Sequence, residues 1–484
     1  LRNDAGLIEY TYPLGTGKYS SKAIGSLSVK IELAANAPIK SIYSPTHEVE
    51  IKRNGNKQAT IGFEAKGVTP GSDFKLYYQP KTKGIAVNLI THRQGDGDGY
   101  FLLLASPGID VDASKIVEKD VAFVLDTSGS MAGNKLEQAK KAFQFCVANL
   151  NDGDRFEVIR FSTETEALFD GMKKANSKNR KMAIDFIKDM KPIGGTAINA
   201  ALTEALALKP EGDRPFVVIF LTDGRPTIGI TSENEIVKNV EKAAGKTRVF
   251  SFGIGTDVNA HLLDKITEKT RASSQYVTPN EDIEVKVSSF FTKIKEPVLA
   301  NPKLKFPDGV RVTKLYPSQL PDLFKGEEIV LVGRYDKAGK GDVLLEGTLA
   351  GKKTQFEFPV TFPAHADHSF IPRLWATRRV GYLLDEIRLH GKNKELKDEV
   401  TKLAKKYGIV TPFTSYLILE DERANNVAAN QRLLQANPRT IQALRENYRA
   451  MLNQKSGAGA VAAARAGQQL RQANIAQGSG LAHA

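Results

Sequence analysis

The sequence predicts a multidomain protein: an α/β, doubly wound (Rossmann-like) domain flanked by or inserted in a β-sandwich, with a helical region towards the C-terminal end. Three observations carry this. A length of 484 residues exceeds what one compact core usually organises and corresponds to about two to four domains. The first part of the chain alternates apolar and polar residues at period two, as half-buried strands do. From residue 120 the rhythm becomes strand, helix, strand, helix, with continuous apolar runs that fit strands covered on both faces.

Residues 1–115 read as a β-rich sandwich segment. Ser-Leu-Ser-Val-Lys-Ile-Glu-Leu at 26–33 alternates strictly, and 47–52, 58–63, 73–78, 85–90 and 100–104 follow at regular spacing. Turn residues Asn54-Gly55-Asn56 and Pro70-Gly71 separate these runs, the rhythm of a sandwich. Residues 116–297 form the α/β segment. Its buried strands are 121–125 and 216–221, joined by strands at 156–161 and 249–254. Helical spacing at 135–150, 178–190, 197–207, 233–244 and 260–270 fills the intervals, and a last helix at 282–294 closes the segment. Residues 298–365 are again β-rich, with Gly309, Gly333 and Gly341 at turns, and are expected to complete the sandwich. Residues 366–455 are mainly helical, at 373–389, 394–406 and 431–453, with Pro412 ahead of a short strand at 415–419. The tail, 456–484, is rich in Ala, Gly and Gln without a core pattern, and is expected to be flexible or a fraying helix.

Hydrophobic content of 41% and charged content of 25% are ordinary for a globular chain and exclude collagen, full disorder and a membrane bundle. The longest apolar runs fall far short of a bilayer span, so no transmembrane segment is expected. The chain starts at Leu1 without a leader pattern and reads as a processed or cropped product. The single Cys146 rules out an intrachain disulfide; its place on the stripe Leu136, Ala139, Phe143, Cys146, Leu150 predicts a buried core thiol. Lys and Arg exceed Asp and Glu by 68 to 55, a net charge of +13 that suits an anionic partner such as a glycan but equally a solvated surface. No nucleic-acid motif or basic–aromatic interleaving accompanies it, so nucleic acid is not expected.

Three loops carry the chemistry. The strand 121–125 runs into Asp126-Thr127-Ser128-Gly129-Ser130, a long loop holds Gly194-Gly195-Thr196 before a helix, and the strand 216–221 runs into Thr222-Asp223-Gly224. Asp126 and Asp223 thus stand at the carboxyl ends of parallel strands, where open α/β sheets bind ligands. The hydroxyls of Ser128, Ser130 and Thr196 with two carboxylates form an oxygen-only donor set of the kind Mg²⁺ takes in about six-coordinate geometry. Gly129 and Gly195 let the backbone come close.

The pattern Asp-x-Ser-x-Ser, then Thr, then Asp-Gly resembles the metal-ion-dependent adhesion site (MIDAS) of von Willebrand factor A domains, over residues 116–297. The resemblance implies that Ser128, Ser130 and Thr196 are the direct ligands of Mg²⁺, with Mn²⁺ or Ca²⁺ as alternatives. Asp126 and Asp223 would orient waters, and a partner's carboxylate would complete the coordination. Gly133-Asn134-Lys135 stands where integrin-type relatives carry paired acids, so a single metal is expected. The flanks Tyr43-Ser44-Pro45-Thr46-His47, Gly99-Tyr100-Phe101-Leu102-Leu103-Leu104, Leu374-Trp375-Ala376 with Gly381-Tyr382-Leu383-Leu384-Asp385-Glu386-Ile387, and Tyr407-Gly408-Ile409-Val410-Thr411-Pro412-Phe413-Thr414-Ser415 are similar to bacterial proteins that join a VIT domain to such an A domain, and to inter-alpha-trypsin inhibitor heavy chains. Two departures are expected: the VIT domain itself is missing at the N-terminal end, and the Asp-Pro-His acceptor for a glycosaminoglycan ester is absent. The resemblance implies a non-enzymatic, secreted or cell-surface binding protein gripping a carboxylate of a protein or extracellular matrix ligand. The alternative is a structural self-assembly protein of the cell envelope that uses the domain for subunit contacts. It also implies that the helix at 282–294 couples ligand binding to domain orientation.

Weaker signals point elsewhere and are outweighed. Gly95-Asp96-Gly97-Asp98-Gly99 lacks the remaining acids of a calcium loop and reads as a hairpin turn. His365, Asp367 and His368 sit in one short segment and read as a surface linker. Gly15-Thr16-Gly17-Lys18 lacks phosphate-loop spacing, and Ser128 is not in a Gly-x-Ser-x-Gly elbow. An aspartyl-phosphate enzyme would place its nucleophile at Asp126, but Ser128 stands where its second acid should be.

Overall fold

The structure, a computed structural model, describes residues 2–14, 24–106, 118–409 and 454–474, apart from 5–6, 36–37, 69–72, 81–84, 209–213, 295–296, 325–327, 350–351 and 392. The strand and helix expected at 415–419 and 431–453, and the Gly15–Lys18 segment, lie outside the described residues.

The α/β domain is built on a seven-stranded sheet. Strand Asp120–Asp126 is central and pairs in parallel with Arg155–Phe161 on one side and Phe216–Thr222 on the other; Arg248–Ile254 and Ser274–Val277 continue the parallel order. At the opposite edge, Thr165–Ala167 and Lys173–Lys174 pair antiparallel with Arg155–Phe161. These edge strands are short and polar, so alternation did not reveal them. Every residue of Asp120–Asp126 is buried, because its two faces serve different layers. Val121, Phe123 and Leu125 pack with Leu136, Phe143 and Cys146 of helix Asn134–Ala148 and with Val287 and Phe291 of helix Ile283–Ile294. Ala122 and Val124 face the other layer, with Ile198 and Leu202 of helix Ile198–Ala207 and Leu262 and Ile266 of helix Ala260–Lys269. This is the doubly wound arrangement, and Cys146 lies in its core. Because the chain winds outward in both directions from Asp120–Asp126, the crevice at the carboxyl end of that strand is the topological switch point.

The sandwich draws on both sides of this domain. Strand Gly99–Ser106, before it, pairs antiparallel along its length with Ile329–Tyr335, after it. Val312–Tyr316 and Ala86–His92 flank that pair, and a second sheet holds Leu323–Phe324, Pro297–Lys305, Gly339–Leu349 and Lys352–Phe362. Phe101, Leu103, Leu299, Val343, Leu345 and Phe362 fill the space between. The α/β domain is therefore inserted in the sandwich. On the outer face, Leu102, Leu104 and Val332 pack against Ile371, Leu374 and Trp375 of the long helix Phe370–His390. The Gly95–Gly99 segment turns the hairpin between Ala86–His92 and Gly99–Ser106.

Two expectations differ from what the fold shows. Residues 1–115 do not act as one segment: strands before Pro80 form two sheets around a separate core of Ile39, Ile61, Phe74 and Leu76, and only the strands from Ala86 onward enter the sandwich. The Ala/Gly/Gln-rich tail, expected to be flexible or a fraying helix, contains the helix Ala458–Arg471 with Ala460, Val461, Ala463, Ala464 and Leu470 buried. Small side chains here are what close packing requires. A Cβ on Gly381 would meet the backbone nitrogen of Arg471 at 2.7 Å, and one on Gly467 would lie 2.8 Å from Asp385 Oδ1. Ala460, Val461 and Ala464 reach the α/β core while Ala463 and Leu470 reach the core around Trp375, so the helix straps the two units together.

Candidate functional site

The three loops converge at the carboxyl edge of the sheet. Their backbones are laced together: Gly129 N–H donates to the Gly194 carbonyl at 3.1 Å, and Ile193 N–H to the Thr127 carbonyl at 2.8 Å. Gly194 has a φ of +74°, a left-handed conformation that glycine adopts without the steric cost of a Cβ. Asp126 is fully buried at the strand end. Its Oδ1 accepts from the Ser128 backbone N–H at 2.8 Å and its Oδ2 from the Thr222 hydroxyl at 2.5 Å, so the carboxylate is held in one orientation. Burial pushes its pKa up to about 6 although those hydrogen bonds pull the other way, and the nearby Asp223 charge adds to the rise.

The Ser128 and Ser130 hydroxyls lie 3.1 Å apart, and Ser130 Oγ donates to Asp223 Oδ1 at 2.7 Å. Thr196 enters from the second loop, its N–H donating to the Thr227 hydroxyl at 2.8 Å and its carbonyl accepting from Thr227 N–H at 3.0 Å. Its hydroxyl faces the third loop: a Cβ built on Gly224 would lie 3.3 Å from Thr196 Oγ1 and 3.9 Å from Ser130 Oγ. All the residues named from the sequence, Asp126, Ser128, Ser130, Thr196 and Asp223, thus come to one crevice. They offer hydroxyl and carboxylate oxygens only, the donors a hard divalent cation takes.

Sequence reasoning missed three contributors. Thr222 orients Asp126, and Thr227 fixes the Thr196 loop. Lys135, in the first turn of helix Asn134–Ala148, places Nζ 2.6 Å from Asp223 Oδ2 and 3.2 Å from the Ser130 carbonyl. The signal for Lys135 was present: five residues after Ser130, it opens the helix that follows the first loop. The histidine segment behaves as a linker: His368 Nδ1 lies 2.9 Å from the Thr91 carbonyl, and Asp367 is 3.6 Å from His92 Nδ1.

Comparison with known proteins bears out the α/β fold. The family profile described as von Willebrand factor type A domain matches residues 119–275. Human inter-alpha-trypsin inhibitor heavy chain H4 is 28% identical over 358 residues, covering 68% of this chain and 38% of that protein. Human inter-alpha-trypsin inhibitor heavy chain H6 is 30% identical over 356 residues, covering 67% of this chain and 27% of that protein. This chain therefore spans well under half the length of these relatives. A solved structure, von Willebrand factor type A from Catenulispora acidiphila, superposes with a TM-score of 0.52 at 15% identity, covering 68% of this chain and 88% of that one, which supports the fold alone. The chain therefore carries a von Willebrand factor type A domain over residues 119–275 and is similar, over about two thirds of its own length, to inter-alpha-trypsin inhibitor heavy chains.

Proposed function

We propose that this chain is a non-enzymatic, divalent-metal-dependent binding protein, with the inserted α/β domain as its ligand-binding unit and the sandwich as its support. Ser128, Ser130 and Thr196 would hold Mg²⁺, or Mn²⁺ in its place, while Asp126 and Asp223 balance its charge and orient its waters. The observation that carries the reading is the convergence of five oxygen-bearing side chains from three loops on one crevice at the switch point. Hydroxyl donors leave the cation's charge largely uncompensated, so it would attract a carboxylate from a protein or matrix partner. The aspartyl-phosphate alternative loses support, because both oxygens of Asp126 are already engaged and the side chain is fully buried. A secreted or cell-surface setting is proposed on the similarity to the heavy chains. No helix among the described residues is long and apolar enough to cross a membrane.

Titration calorimetry with Mg²⁺ and Mn²⁺ tests the proposal. One-site binding by the natural chain, lost in Asp223→Ala, is the expected result; absence of binding by the natural chain up to millimolar metal would refute it. Sizing the protein with and without chelator then separates a foreign ligand from self-assembly, since a metal-dependent oligomer would favour the latter.

A further inference from the structure

Lys135 raises a question that the donor set alone does not. The fully buried Asp223 side chain gives one carboxylate oxygen to Ser130 at 2.7 Å and the other to the Lys135 ammonium at 2.6 Å. The ammonium is tied down a second time by the Ser130 carbonyl at 3.2 Å. Its stem rises from the first turn of a helix whose interior face is packed in the core, so its root cannot drift. Gly255 lies beside it, where a Cβ would sit 3.9 Å from Nζ, an ordinary van der Waals contact. A cation of the protein's own is therefore bonded to a carboxylate and a serine of the crevice. Yet the Lys135 side chain is 41% exposed, so it opens to solvent at the rim.

We propose that Lys135 is a tethered counter-cation that competes with the divalent ion for Asp223 and thereby sets how tightly the metal is held. This rests on the metal reading above. With Lys135 in place, the ammonium offsets one of the two carboxylate charges, and an arriving metal meets a site of net charge about −1 instead of −2. The cost falls on metal affinity. The gain falls on order without metal: Asp223 is buried, and a buried carboxylate without a cation or full hydrogen bonding is strongly destabilising. Lys135 thus keeps the empty crevice assembled and releases Asp223 when a divalent ion enters. It is a positioning residue, acting through Asp223.

The test compares Mn²⁺ binding, by calorimetry and by the paramagnetic resonance of free Mn²⁺, in the natural chain, Lys135→Met, Lys135→Arg and Asp223→Asn. Thermal unfolding in chelator and in excess Mn²⁺ accompanies it. Methionine keeps the length of the stem and removes the charge. The expected result is that Lys135→Met binds Mn²⁺ about tenfold more tightly, consistent with removing one nearby unit charge at a partly exposed site. Lys135→Arg should stay within about threefold of the natural chain, because its charge is kept. In chelator, the Lys135→Met midpoint should fall below that of the natural chain, and excess Mn²⁺ should close the gap. A purely structural lysine would lower the midpoint without tightening the metal. If the natural chain binds and Lys135→Met binds equally or more weakly, this inference fails while the metal reading stands. If neither the natural chain nor any variant binds Mn²⁺, both fail together.

Discussion

Replacing Arg388 with methionine should unseat the inserted domain from its support. Arg388 belongs to the helix Phe370–His390 and is buried, as are Asp264 and Asp385. Its guanidinium pairs with Asp264 Oδ2 and lies 3.0 Å from Asp385 Oδ1. Asp264 sits on helix Ala260–Lys269 of the α/β domain, so the pairing crosses the junction between the two units. Methionine fills much of the volume of the arginine stem but leaves both carboxylates without that cation. Asp385 keeps Arg471, whose Nε is 2.6 Å from its Oδ2, whereas Asp264 keeps the Tyr276 hydroxyl at 2.7 Å. One stranded buried carboxylate, not two, places the expected loss near the low end of the usual range for breaking such a pair, about 3 kcal/mol. Urea unfolding followed by far-ultraviolet circular dichroism and by fluorescence measures it. Trp375 is the chain's single tryptophan and donates its Nε1–H to the Lys314 carbonyl at 3.0 Å, so it reports the sandwich side separately. Adding Asp264→Asn to Arg388→Met should recover a large part of the loss, since the uncompensated charge is then gone. A loss under about 1 kcal/mol, or a double variant as unstable as the sum of the single ones, would refute the argument.

Two further outcomes follow from other buried contacts. Glu157 is fully buried, with Oε1 accepting from the Val158 and Phe169 backbone N–H groups at 2.9 Å, and burial pushes its pKa from 4.5 up to about 7 against those bonds. The unfolded chain ionises first, so stability falls as pH rises from about 4.5 through 7 and levels off above; Glu157→Gln should be more stable than the natural chain by about 2–3 kcal/mol at pH 8 and equal to it near pH 4, read from unfolding curves at each pH. Gly467→Val should push a side chain onto Asp385, only 2.8 Å from the position of the first added carbon, and cost about 1–3 kcal/mol; limited proteolysis should then cut within 455–474 where the natural chain resists.

The α/β core and the crevice were legible because each rests on local information. An all-apolar run such as 216–221 states that both faces of a strand are covered, and the Asp-Thr-Ser-Gly-Ser turn follows directly from the strand before it. The two partners of Asp126 show where legibility ends. Ser128 lies two residues away and was given a role; Thr222 lies on a neighbouring strand and was quoted in its loop without one. Lys135 escaped for another reason: on a helix surface a lysine reads as solvated unless the loop opposite is known to present Asp223. That the tail's helix is packed was not legible because composition was read without its partner. Ala and Gly lack a core pattern when the helix is considered alone, yet they are what lets Gly467 pass against Asp385 and Leu470 against Gly381.

The direction of the sheet decides how the proposed site can be used. Asp120, Arg155 and Arg248 open their strands at the amino edge, and the contacts there turn towards the support. Arg155 pairs with Asp120 at 2.6 Å, and Arg248 reaches across to Asp322 of the sandwich region at 2.6 Å, with Asp322 also accepting from the Asn301 N–H at 2.7 Å. Asp126 and Asp223 stand at the other end, about 20 Å away for strands of this length. Among the described residues, the crevice thus lies at the edge of the sheet opposite the Arg248–Asp322 contact with the sandwich region. Its third loop is still connected to the strap: Asn259 donates its N–H to the Gly224 carbonyl at 3.4 Å, Glu233 binds Asn259 Nδ2 at 2.8 Å, and Lys455 Nζ meets Glu233 at 2.8 Å. Hydrogen bonds from His261, Lys455 and Asn259 overcome the effect of burial on Glu233 and hold its carboxyl down at about 2, so this tie keeps its charge across the pH range in which the protein would meet a ligand. The third loop is thus linked both to the central sheet and to the segment leading into the helix Ala458–Arg471, while the pairs Arg248–Asp322 and Arg388–Asp264 tie the inserted domain to its support.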